Sequence, residues 1–158
     1  MRKLGLIGGM SWVSTRTYYE HLNRIVQRRV GGQASAPLLI ESHDFAGLAR
    51  LSGDDDWDRT AQTLAESARR LETAGAGALI IAANSMHRVY DEVAAAVGIP
   101  IIHIADCVGW RMAERGVRTA ALLGTSAVMT ESFYRQRLVA HGIRCCPPTW
   151  TASRRSRN

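Results

Sequence analysis

The sequence predicts an α/β fold, a parallel sheet flanked by helices. Three observations carry this. Short apolar runs alternate along the chain with segments whose apolar residues recur at helical spacing. Several of those runs end in small or polar residues: Gly8-Gly9-Met10-Ser11, Ser42-His43-Asp44, Ala83-Asn84-Ser85 and Gly124-Thr125-Ser126. The composition, 46% hydrophobic and 22% charged over 158 residues, is that of a globular chain with a real core. Alternating strands and helices build a parallel sheet, and ligands in such folds bind beyond the carboxyl ends of the strands. The four polar stretches are therefore the places to look for chemistry.

Lys3 to Gly8 reads as the first strand, and Ser14 to Arg29 as a helix. Ser14 or Thr15 is the expected cap, with Tyr18, Leu22, Ile25 and Arg29 along one stripe. Gly31-Gly32 ends it. Pro37 to Ser42 is a second strand, and a loop from His43 leads to a helical turn at Leu48 to Leu51. Asp54-Asp55-Asp56 suits the positive end of a helix running from Trp57 to Thr73, with Gly75 at its far end. Ala78 to Ala82 is a third strand, followed by a helix from Met86 to Val97. Pro100 to His103 is a fourth strand, Ala105 to Arg115 a helix, Thr119 to Leu123 a fifth strand and Thr130 to His141 a last helix.

Leu6 to Leu22 aligns without a gap on Leu122 to Leu138, at an offset of 116. Leu6 meets Leu122, Gly8 meets Gly124, Tyr18 meets Tyr134 and Leu22 meets Leu138. Either a unit begins again near residue 117, or two strand–loop–helix segments simply look alike. The repeat divides the chain into a first domain (1–116), the start of a second (117–143) and an atypical basic tail (144–158). After Ile143 another strand is due, but Pro147-Pro148 is poor material for a central one. A truncation or a change of reading frame is the expected cause of this compositional shift.

The net charge is +6, but four arginines of the tail, Arg144, Arg154, Arg155 and Arg157, account for most of it. The rest of the chain stands at +2, which argues against a nucleic-acid surface. No apolar run approaches the roughly 18 residues of a membrane span, and the N-terminal run is too short for a signal peptide. A cytoplasmic protein is expected. Cys107, Cys145 and Cys146 fit neither a disulfide framework nor a zinc site, and Cys107 reads as a buried small hydrophobe. No metal set is present.

Gly8-Gly9 lacks the third glycine of a dinucleotide loop, so it suits a small anion or a tight turn. Asn84-Ser85 offers an amide, a hydroxyl and free backbone N–H groups, fit for an α-carboxylate or for capping a helix. His87 helps polarise that site or serves the structure. His103 and Asp106 are spaced for a local hydrogen bond.

Four ordered blocks resemble the aspartate/glutamate racemase family: GLIGGMSWVSTRTYYEHLN (5–23), ANSMHRV (83–89), IPIIHIADCVG (99–109) and ALLGTSAVMTESFYRQRL (121–138). The resemblance implies two pseudo-symmetric α/β domains with a cleft between them, often in homodimers, and racemisation without a cofactor. It implies two-base transfer of an α-proton, with one Cys or Thr just before the Asn of the third-strand loop and a second Cys in the mirror position. Here Ala83 occupies the first position, and the offset puts the mirror position at about residue 199. The expectation is a catalytically impaired member that keeps binding residues Gly9, Met10, Asn84, Ser85, Thr125 and Ser126, with Arg50 a candidate for a distal carboxylate. The expected ligand is a small acidic amino acid. The alternative is a non-catalytic remnant that binds an amino acid or small carboxylate.

Overall fold

The computed structural model describes residues 2–52 and 56–146. The chain forms two compact units, Met1–Ile104 and Ala105–Asn158. This division by packing falls earlier than the division by repeat at 116. The helix α5 (Ile104–Glu114) goes with the second unit because Asp106 on it is held there by Arg137, at 2.7 Å, and His141, at 3.2 Å.

The first unit runs β1 (Lys3–Gly8), α1 (Trp12–Val30), β2 (Leu38–Ser42), α2 (Phe45–Ser52), α3 (Trp57–Thr73), β3 (Ala76–Ile81), a 3₁₀ turn (Ser85–Val89), α4 (Tyr90–Ala95) and β4 (Ile101–Ile102). Its four strands are parallel, in the order β2-β1-β3-β4. Leu6 pairs with Ile40, Ile7 with Ile81 and Leu79 with Ile101. The chain goes out from β1 to β2 and returns to the other side of β1 for β3. That reversal makes the carboxyl ends of β1 and β3 the topological switch point, where ligands bind in sheets of this kind.

The core explains why α3 lies across β1, β2 and β3. Ala61, Leu64, Ala68 and Leu71 recur at helical spacing and are buried against Ile7, Leu79 and Ile81. Asp56 starts this helix by accepting from the Arg59 amide at 3.0 Å. Gly75 follows its last turn at φ +92, where its amide donates to the Glu72 carbonyl. Asp54 and Asp55 lie outside the described residues.

The second unit holds β5 (Thr119–Ala121), α6 (Ser126–Thr130), α7 (Ser132–Ala140) and β6 (Arg144–Cys146). Among its described residues, Ala105, Val128, Tyr134, Leu138 and Ile143 are the buried apolar ones. β5 and β6 pair in parallel, Thr119 with Arg144 and Ala121 with Cys146. The strand due after Ile143 is therefore present, inside the stretch read as an atypical tail. Three residues suffice for it before the prolines, which lie outside the described residues.

Several boundaries differ from the sequence reading. Ser11, not Ser14 or Thr15, caps α1, its Oγ accepting from the Ser14 amide at 3.3 Å. Only Thr15 of α1 is buried, and Ile25 on the expected stripe is exposed, because the helix packs mainly on β1. The loop after His43 becomes the full helix α2. The segment from Met86 to Val97 is split into a 3₁₀ turn and the short α4. The segment from Thr130 to His141 is interrupted at Glu131, which is extended (φ −83, ψ 163). Cys107 is exposed rather than buried. Ala105 and Gly109 occupy the buried side of α5, and Cys107, half a turn from each, faces outward. No described helix is long and apolar enough to cross a membrane.

Candidate functional site

The candidate site lies at the carboxyl edge of β1 and β3. The Ala82 amide donates to the Ile7 carbonyl at 2.9 Å, so Ala82-Ala83 leaves the sheet beside Gly8-Gly9. The His43 amide donates to the Gly8 carbonyl at 3.0 Å and brings the end of β2 to the same edge. Gly9, Met10, Ala83, Asn84 and Ser85 are thus assembled within one unit. Thr125 and Ser126 belong to the second unit, both exposed at the start of α6. The side chain of Arg50 lies outside the described residues.

Gly9 is required by its position. Its φ is +83, and a Cβ there would sit 2.1 Å from the His43 carbonyl oxygen. Its amide is already used, donating to Thr15 Oγ1 at 2.9 Å. Thr15 in turn donates to the Ser11 carbonyl at 3.1 Å. Gly8 is equally constrained, since a Cβ would lie 2.7 Å from Thr15 Oγ1. Met10 turns its side chain into the core cluster that also holds Leu48 and Met86. The glycine loop is therefore folded onto its own helix. What it presents outward is the N-terminal turn of α1, whose first amides have no intrahelical acceptors.

Asn84 opens the 3₁₀ turn with αR backbone angles and makes no side-chain capping bond. Its amide group is exposed. Ser85 is half-buried beside it. Ala83, half-buried, packs against the core cluster and turns its carbonyl to the interior. That carbonyl meets His87 Nδ1 at 3.0 Å. On the other side of the ring, Nε2 accepts from the Ile104 amide at 3.3 Å. His87 is buried, so it serves the loop from beneath.

His103 is also buried, its ring edge-on to His87 at 4.5 Å and to Tyr90 at 4.6 Å. Asp106 is held instead by Arg137 and His141, in place of the local bond to His103 that its spacing suggested.

Beside Gly9 a polar cluster closes the end of β2. Arg70 Nε reaches both Glu41 carboxylate oxygens at 3.2 Å, and His43 Nε2 lies 3.2 Å from Ser67 Oγ. The Arg70 hydrogen bonds hold the Glu41 carboxyl below its ordinary range, against the opposing effect of burial. Burial pushes the His43 imidazole down, and the nearby Glu41 partly opposes it. Ser67 is fully buried, so its hydroxyl is structural here. This cluster was not legible in the sequence, because its members come from β2, the loop after it and α3. Among the described residues, no three His, Cys, Asp or Glu side chains are placed to hold a metal.

Chemically, this edge offers hydrogen-bond donors, an exposed carboxamide and the positive end of a helix, but no base at residue 83. Three solved structures share its architecture. A candidate Asp/Glu racemase from Yersinia pestis is 41% identical with a TM-score of 0.87, over 92% of this chain and 64% of that one. An aspartate racemase homologue from Pyrococcus horikoshii is 33% identical with a TM-score of 0.79, again over 92% and 64%. The aspartate racemase of Picrophilus torridus, at 17% identity and a TM-score of 0.71, shares the fold over 92% of this chain and 62% of its own. The chain therefore spans somewhat less than two thirds of the length of these proteins. The family model for Asp/Glu/Hydantoin racemases matches residues 7–154, taking in the β1 loop, the Ala83-Asn84 loop and the second unit's glycine loop. With 41% identity to the Yersinia protein and a family match along nearly its whole length, this chain belongs to the Asp/Glu/Hydantoin racemase family.

Proposed function

We propose that the loops after β1 and β3 hold a small acidic amino acid, and that this chain does not move its α-proton. One observation carries the reading: Ala83 stands where the family resemblance puts the first proton-transfer group. A methyl group neither takes nor gives a proton. Residues 1–104 contain no cysteine to replace it, the three thiols being Cys107, Cys145 and Cys146. A serine hydroxyl such as that of Ser85 is a weak nucleophile and base without an activating partner. His87 turns both ring nitrogens to the backbone.

Binding is supported by different groups. The first turn of the 19-residue α1 favours a carboxylate through its amides and dipole. The exposed Asn84 carboxamide can accept from an ammonium and donate to a carboxylate. The reading calls for no cofactor. It includes self-association, supported by Trp12, Val13 and Val30, which stay exposed on α1.

Titrating the ¹⁵N-labelled chain with L-aspartate tests the binding half. The Asn84 and Ser85 amides are expected to shift in a saturable way, with those of α3 unmoved. Unchanged Asn84 and Ser85 amides at millimolar aspartate or glutamate would remove it.

A further inference from the structure

We infer that His87 is a positioning residue: a neutral imidazole that aims the backbone N–H of Asn84 at the ligand side of the loop. The inference rests on the reading that this loop holds a ligand. A carbonyl oxygen only accepts, so Nδ1 facing the Ala83 carbonyl at 3.0 Å must carry the hydrogen. An amide only donates, so Nε2 facing the Ile104 N–H at 3.3 Å must keep its lone pair. Together the two bonds select the neutral Nδ1–H tautomer. His87 is 1% exposed, which excludes water as a substitute partner on an open face.

The consequence for the loop follows from peptide geometry. The bond between Ala83 and Asn84 is trans, as are all described peptide bonds. In a trans peptide the C=O and the next N–H point in opposite directions. Drawing the Ala83 carbonyl inward to a buried ring therefore turns the Asn84 N–H outward. The same ring ties the residue following Ala82 to Ile104, which follows β4, so two strand ends are held in register by one side chain. Tyr90 braces the arrangement: its hydroxyl donates to the Ile101 carbonyl at 2.8 Å, and its ring and that of His87 both lie edge-on to His103. His87 touches no reacting atom in this account. It acts through the peptide plane that it orients.

The test uses the 158-residue chain and two variants. Long-range ¹⁵N–¹H correlation of the parent at neutral pH should show a pyrrole-type Nδ1 and a pyridine-type Nε2 at His87. His87→Gln keeps one donor and one acceptor, and His87→Phe keeps only a ring. His87→Phe is expected to displace or broaden the Asn84 and Ser85 amides and to weaken the aspartate response about tenfold or more, as for loss of one well-made hydrogen bond. His87→Gln is expected to restore much of both, which a merely space-filling role would not produce. A charged or Nε2–H imidazole, or a His87→Phe chain with parent-like Asn84 amides, would overturn the inference. If the parent itself ignores aspartate, the binding reading fails, while tautomer and amide shifts still judge the clamp. If His87→Phe does not fold, the parent spectrum and the Gln variant decide.

Discussion

The Gly9 amide donates to Oγ1 of Thr15 at 2.9 Å, across six residues that include the turn into α1. The bond decides what the glycine loop is for. An amide that satisfies a buried threonine is not free to cradle a phosphate, so the loop's role is to shape the edge. Thr15→Val keeps the shape and removes the acceptor. The Gly9 N–H is then buried without a partner, at a cost of about 1–3 kcal/mol. Urea unfolding measures it, and a change within error would show that this bond does not hold the loop.

Gly9→Ala should be worse. The position is at φ +83, and the added methyl would overlap the His43 backbone, whose nitrogen would lie at 2.3 Å. Backbone gives way less easily than a side chain, so a loss of about 2–4 kcal/mol is expected. The same unfolding assay checks it, and near-parent stability would mean that the β1 and β2 ends are not so tightly joined.

Stability should fall on acidification in two stages. Burial keeps the folded-state His43 below its ordinary 6.5, so the unfolded chain takes up that proton more readily as pH drops through and below 6.5. Arg70 keeps folded Glu41 below 4.5, so its contribution is complete above 4.5 and is lost below. Arg70→Ala should flatten the lower stage and leave the upper, whose leading cause is burial. At neutral pH it should cost no more than about 1 kcal/mol, as for other exposed ion pairs. Unfolding midpoints across the acid range test this, and an unchanged lower stage in Arg70→Ala would refute the assignment.

Ala83→Cys supplies one thiol on one side of a ligand. Inverting a stereocentre needs a proton removed from one face and returned on the other, and residues 1–104 offer no second thiol. No net inversion of L-aspartate by this variant is expected in chiral chromatography. Full inversion would show that a second acid or base acts from elsewhere.

The parts of this fold legible in the sequence are those set by local pattern. β1 and α3 keep the bounds that apolar runs and caps predict, since Ile7, Leu64 and Leu71 are buried by spacing alone. The extent of β4 was not legible: two residues pair with β3, because a strand is only as long as its partner allows. Helix α1 misled for a related reason. Its stripe reads as buried, but burial depends on what covers it, and only Thr15 is enclosed. In the site, Ala83-Asn84-Ser85 was visible as a polar end to an apolar run. The partners that fix it were not. His87 meets the Ala83 carbonyl across one helical turn, a spacing that a histidine shares with many unconnected ones. The Ile104 amide on its other side comes from 17 residues away, and only the folded sheet brings it there.

Proton NMR of the folded chain with L-aspartate and L-glutamate in deuterated water tests the central claim most directly. Saturable shifts at Asn84 with a persistent α-proton signal are predicted, because Ala83 cannot take the proton. Loss of that signal at a rate proportional to protein concentration would contradict the account and show a base at work in this site.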